Sequence, residues 1–281
     1  MTALSTLSPF RGLGRSVHRI ASRVFPGGES DISTMALIRG VANPGGSGGH
    51  KRKNAKSEDM DDSTIQASAS RARRRLSDNC LARSVNHLLT LTFRENVTDL
   101  DQAWSRFAYF SKLCKKHGHH FQYVAVWERQ KRGAIHFHLA VDKRIEYGKA
   151  YKNNVRDCWL QACGPLGGNI DVSSQHKAAA KKKDRRALVG YLTKYLAKTF
   201  LEEGVFNRRR YSCSRGASIP EPVIQFAPFG ADMEKLIADL MKELTGCYPQ
   251  KIINYDSYFK GYKAFGFLKP EYQNGDFLCK A

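Results

Sequence analysis

Apolar positions are sparse and aperiodic over the first eighty residues and become ordered from about residue 85. His87–Phe93 (HLLTLTF) alternates in part and predicts a β-strand. Asn96–Asp99 offers a helix cap, and Trp104, Phe107, Phe110 and Leu113 repeat at helical spacing over 100–116. Phe121–Glu128 and Ile135–Val141 are β-type runs joined by a Lys131-Arg132-Gly133 turn, the pattern of a hairpin. A helix is predicted over 147–162 with Val155, Trp159 and Leu160 inward, ended by Gly164-Pro165-Leu166-Gly167-Gly168. Asn169–Val172 reads as a short strand and Arg185–Phe200 as a helix.

The order from 87 to 200 is therefore β-α-β-β-α-β-α. It predicts an α+β fold of the ferredoxin-like or RRM-like kind: a split β-α-β with a central antiparallel sheet and one added helix. Residues 1–82 read as a basic, largely disordered tail, apart from a candidate helix at 64–76 carrying Arg71, Arg73, Arg74 and Arg75. Residues 83–218 form the predicted domain. Residues 219–281 are an extension of unknown role, with a helix near 231–245 and an aromatic-rich end.

Charge changes the picture. Lys and Arg number 46 against 26 Asp and Glu, a formal net charge of +20, which points to a polyanionic partner. No run of eighteen apolar residues occurs, so a membrane-spanning helix is not expected. The seven cysteines are scattered without a CxxC pair, which argues against zinc-ribbon and thioredoxin-like chemistry and for free thiols in a reducing compartment. No G-x-x-x-x-G-K-[ST] occurs, so no P-loop helicase is expected.

Two short motifs carry candidate chemistry. In His136-Phe137-His138 the strand period of two puts both imidazoles on one face and Phe137 on the other. Glu128, across the hairpin, supplies a carboxylate, and Gln130 has the same parity and is the alternative third ligand. Two imidazoles and a carboxylate suit a divalent ion acting as a Lewis acid. In Tyr191-Leu192-Thr193-Lys194-Tyr195-Leu196-Ala197-Lys198 the tyrosines lie one helical turn apart, each followed three residues later by a lysine, Lys194 or Lys198. A phenol titrating near 10 is about one part in a thousand ionised at pH 7, and a neighbouring ammonium is expected to favour the phenolate.

Together with Leu88–Phe93, these segments resemble the three motifs of the HUH endonucleases, closest to the two-tyrosine rolling-circle replication initiators of single-stranded DNA phages and plasmids. The resemblance covers about 85–215. It implies His136, His138 and Glu128 as ligands of Mg²⁺ or Mn²⁺, and Tyr191 and Tyr195 as alternating nucleophiles. Lys198 corresponds to the motif lysine, with Lys194 an additional neighbour. The implied reaction nicks single-stranded or extruded origin DNA, leaving a 5′-phosphotyrosine and a free 3′-OH, and later rejoins the strand. A host helicase and polymerase are the implied partners, and the host cytoplasm the implied location. A two-tyrosine transposase and a non-catalytic nucleic-acid-binding module are the rival readings.

Further basic residues are candidates for contact with the DNA backbone: Arg208, Arg209, Arg210 and Arg215, and Lys182 and Arg185 within the run before the tyrosine helix. His117, His119 and His120 read as a turn, and Thr90 and Thr92 as strand residues supporting the site.

Overall fold

The computed structural model describes residues 16–38, 62–145, 153–172, 185–200, 209–246 and 248, and the backbone of four short strands beyond 251. The chain divides into two compact units, 55–219 and 1–54 with 220–281.

The elements of the unit 55–219 run α1 (Asp62–Ala82), β3 (His87–Phe93), α2 (Leu100–Lys116), β4 (Tyr123–Arg129), β5 (Ile135–Val141), α3 (Val155–Cys163), β6 (Gly168–Asp171), α4 (Arg185–Thr199) and β7 (Tyr211–Cys213). The strands form one five-stranded antiparallel sheet in the order β6-β3-β5-β4-β7. The predicted β-α-β-β-α-β-α order and α+β class are found. β7, which pairs with the outer edge of β4, is an addition that three residues of sequence do not announce.

Side-chain alternation divides the sheet into two apolar faces. Leu89, Leu91, Phe93, Trp127, Phe137 and Leu139 pack against α2 and α3. Leu88, Val124, Val126 and Ala140 pack against α1 and α4. The central strand β5 is buried along its whole length. Helix α2 starts at Asp99, whose carboxylate accepts from the N–H groups of Asp101 (2.9 Å) and Gln102 (3.4 Å). Helix α3 starts at Asn154 rather than near 147; residues 146–152 lie outside the described part. Its Trp159 is buried, and the indole N–H donates to Thr92 O at 2.9 Å. Gly168 lets β6 approach that indole: a Cβ there would lie 2.7 Å from Trp159 Nε1 and 2.8 Å from Cys163 Sγ.

The second unit overturns the expectation of a tail. β1 (Ser16–Val24) and β2 (Ser30–Ile38) form an antiparallel hairpin. β8 (Val223–Pro228), β9 (Ile252–Ser257) and β10 (Tyr262–Phe267) come from the other end of the chain. Together they make a second antiparallel sheet, ordered β8-β1-β2-β10-β9. Helix α5 (Met233–Thr245) covers one face through Ile237, Leu240 and Met241 against Ile20, Ile32 and Ala227. The predicted helix at 64–76 is real and longer, extending over Asp62–Ala82 as α1. A minimal two-stranded ribbon, β11 (Tyr272–Gln273) with β12 (Asp276–Phe277), completes the described chain.

Candidate active site

His136 and His138 stand on the α1/α4 side of β5, while Phe137 turns into the opposite core, 4.9 Å from the Trp104 ring and 5.0 Å from that of Phe107. Antiparallel register sets Glu128 opposite His136 on one flank, and Thr92 and Thr90 opposite His136 and His138 on the other. Glu128 Oε2 accepts from His138 Nε2 at 3.1 Å. The hydroxyl of Thr90 lies 3.3 Å from His138 Nδ1, so the ring is held from both nitrogens. Gln130 sits exposed in the hairpin turn, its backbone N–H bonded to Ala134 O, while the Glu128 carboxylate reaches the imidazole.

His136 is buried, and its Nε2 has no hydrogen-bond partner. Burial above all, then the charges of His138 and Arg132, lower its pKa to about 4, against a smaller opposing pull from Glu128. The ring is therefore neutral at pH 7 and keeps a nitrogen lone pair.

Helix α4 anchors itself with Leu188, Leu192 and Leu196 and brings Tyr191 and Tyr195 to the imidazoles. The Tyr195 ring stacks on His138 at 4.1 Å and 17°. Tyr191 meets both rings edge-on, 5.9 Å from His138 and 4.7 Å from Tyr195. The Tyr195 hydroxyl donates to that of Tyr191 at 2.6 Å. Lys198, one further turn along, places Nζ 2.5 Å from Glu128 Oε1 and 5.1 Å from the Tyr195 ring centre. Lys198, Glu128, His138, Tyr195 and Tyr191 thus form one contiguous group. Lys194 is exposed.

The Lys198 charge favours the Tyr191 phenolate, as expected of a neighbouring ammonium, but burial outweighs it. Burial raises the pKa of both tyrosines. For Tyr191 the hydrogen bond from Tyr195 and the Lys198 charge pull down, while Glu128 and Asp171 push up. Tyr195 rises strongly, through burial first and then because its own proton is committed to Tyr191. Glu128 moves the other way. Burial alone would raise its carboxyl, but the hydrogen bonds from His138 and Lys198 hold it below the usual range. Lys198 is satisfied by a carboxylate, and the phenols beside it stay protonated.

The remaining basic candidates fare differently. Arg209 folds over Trp104, 4.8 Å from its ring, and donates to Ser212 Oγ at 2.5 Å. Its carbonyl accepts from the indoles of both Trp104 and Trp127 at 3.2 Å. Arg210 donates to the Thr199 carbonyl at the end of α4 and lies 4.0 Å over Phe200, so it secures the tyrosine helix. Arg215 is exposed. Arg208 and Lys182 lie outside the described residues, as does the side chain of Arg185. The turn read at His117–His120 is present, with His117 closing α2.

Asp171 is a site residue the sequence did not single out. It lies opposite Thr90, which lies opposite His138, so all three share one row across the sheet, and its charge reaches Tyr191. Parity along Gly168–Asp171 would have revealed it only with the register known.

Residues 86–200 match the family model described as replication-associated protein ORF2. The matched segment runs from β3 through α4, contains every member of the tyrosine–imidazole group, and supports a replication-initiator family and a DNA partner. No curated protein and no solved structure matches the chain. No helix among the described residues is long and apolar enough to cross a membrane.

Proposed function

We propose that the chain initiates rolling-circle replication by nicking single-stranded origin DNA through tyrosine attack on a phosphodiester. The observation that carries this reading is the meeting of two phenols, two imidazoles, a carboxylate and a lysine around one stretch of β5, inside the segment matched by the replication-protein family.

The donor set suits Mg²⁺ or Mn²⁺. His136 offers a buried nitrogen without a protein partner, and Glu128 a carboxylate already ionised. Among the described residues no three His, Cys, Asp or Glu side chains form a ready-made cage, and Glu128 and His138 are bonded to each other. A bound ion would supply Lewis acidity toward the scissile phosphate. The Thr90 hydroxyl can donate to or accept from His138 Nδ1, and so can support either tautomer of the ring.

In the nicking step one tyrosine oxygen bonds to phosphorus and the P–O3′ bond breaks. The proton lost from the phenol is balanced by the one gained at the 3′ oxygen. Rejoining runs the same exchange backwards, so the phosphodiester energy is kept in the phosphotyrosine. Lys198 is placed to trade its carboxylate partner for the phosphate. Unwinding and synthesis fall to a helicase and polymerase of the host.

The test is incubation with Mn²⁺ and a pool of single-stranded DNA, followed by mass spectrometry of tyrosine-linked nucleotide. The expected result is a 5′-phosphotyrosine on Tyr191 or Tyr195, absent from the Tyr191→Phe, Tyr195→Phe double variant. An adduct that persists in the double variant sinks the nucleophile assignment. Binding without any adduct selects the non-catalytic module.

A further inference from the structure

Helix α1 precedes the segment matched by the replication-protein family, which begins at residue 86. It is not a remote tail. Leu76 and Cys80 pack in the same cluster as Leu188, Leu192 and Leu196 of α4 and Val124 and Val126 of the sheet, so α1 lies beside the tyrosine helix on the same face. Its inner stripe is Ala69, Ala72, Leu76 and Cys80. Arg71, Arg73, Arg74 and Arg75 are all exposed. The only acidic residues of the helix are Asp62 and Asp78.

Arg75 also stands level with the site. The charge of Arg75 reaches the Tyr211 hydroxyl and the Cys213 thiol, opposing the larger effect of burial on each. Tyr211 is opposite Val126, and Val126 opposite His138. Two strand spacings, about 10 Å, therefore separate the row of Tyr211 from the imidazole. Along the helix, Arg71 and Arg75 are about 6 Å apart at 1.5 Å per residue.

We propose that the outward side of α1 is a track for the phosphodiester backbone of single-stranded DNA, running beside the tyrosine site. The inference rests on reading the chain as a DNA-acting protein. Charge complementarity selects the occupant: a chain of net charge +20 turns Arg71, Arg74 and Arg75 away from the buried stripe of α1, three neighbouring guanidinium groups each able to grip a phosphate through paired donors, while Arg73 lies on the other flank. Such a track contributes affinity without reading sequence, and fixes where the strand passes the tyrosines.

The experiment is equilibrium binding of a labelled mixed-sequence single-stranded oligonucleotide to the full chain over a range of salt. The Arg71→Gln, Arg74→Gln, Arg75→Gln variant is compared with its Arg→Lys counterpart at the same positions. Glutamine is a good helix former, and melting curves establish that each variant is folded. Each lost phosphate contact flattens the plot of log K against log salt by about 0.7, so the glutamine variant is expected to lose about 2 from its slope, a gap that widens by about a hundredfold in affinity from about 1 M down to about 0.1 M salt. The lysine variant is expected to keep the wild-type slope. An unchanged slope in the glutamine variant overturns the track. Tyrosine adduct formation at saturating DNA is read separately. A flattened slope without any adduct leaves the track standing and removes the nicking reading, and an adduct with an unchanged slope does the reverse.

Discussion

His136 allows a direct test of the site's electrostatics through pH. The residue is 8% exposed, its Nε2 has no partner, and its pKa falls from 6.5 to about 4. Between those values the unfolded chain binds the proton and the folded chain does not. Stability therefore rises with pH across this window: the contribution is intact above about 6.5 and declines as pH falls toward about 4. Integrating the two titrations, moving from about pH 7.5 to about pH 5 removes about 2 kcal/mol through this one group.

The assay is urea unfolding of the metal-free chain and of His136→Gln at both pH values. Glutamine does not titrate, so it loses nothing through this position. If the variant is destabilised by some amount at about pH 7.5, that penalty should shrink by about 2 kcal/mol at about pH 5. The comparison cancels other groups that titrate in both proteins, including the carboxylates. A penalty equal at both pH values within about 0.5 kcal/mol, or one that grows on acidification, would show that the folded state protonates this ring as readily as the unfolded chain does. The description of His136 as a buried neutral donor would then be wrong.

Two further outcomes follow from the same geometry. Mn²⁺ should raise the melting temperature of the wild-type chain near pH 7.5, and Glu128→Ala or His136→Gln should suppress that rise; an undiminished rise in either variant places the ion elsewhere. Gly168→Ala should destabilise the chain by about 1–3 kcal/mol in urea unfolding, because the added carbon meets Trp159 Nε1 at 2.7 Å in a buried setting; a neutral substitution would show that the β6 approach is not tight.

What was legible in the sequence was the local part. His136-Phe137-His138 declares a strand with two faces, and the structure sets Phe137 in one core and both imidazoles on the other side. The four-residue spacing of Tyr191 and Tyr195 declares one helical face, and they share it. The hidden part was non-local. Ser16–Val24 mixes Arg, Ser and His among its apolar residues, and its partners at 223–228 come about two hundred positions later. Nothing nearby announces that strand. Arg209 and Arg210 look like a basic run, yet one closes over Trp104 and the other secures the end of α4. Both contacts depend on where β7 joins the sheet.

The protonation of the tyrosines carries the largest consequence for mechanism. Lys198 lies close to Tyr195, but its nearest anion is Glu128, and the pair nearly neutralise each other within the site. Burial then decides the phenols, and it decides for the neutral form. In the proposed reaction the resting site holds no activated nucleophile. Activation must coincide with arrival of the phosphate, which competes with Glu128 for Lys198 and leaves the carboxylate to another cation. On this reasoning a stable phenolate in the DNA-free chain would be a fault, since it would leave a reactive group exposed to the wrong phosphodiester. The hydrogen bond from Tyr195 to Tyr191 fits the same logic: while it stands, one phenol's proton is committed and only one oxygen can attack at a time.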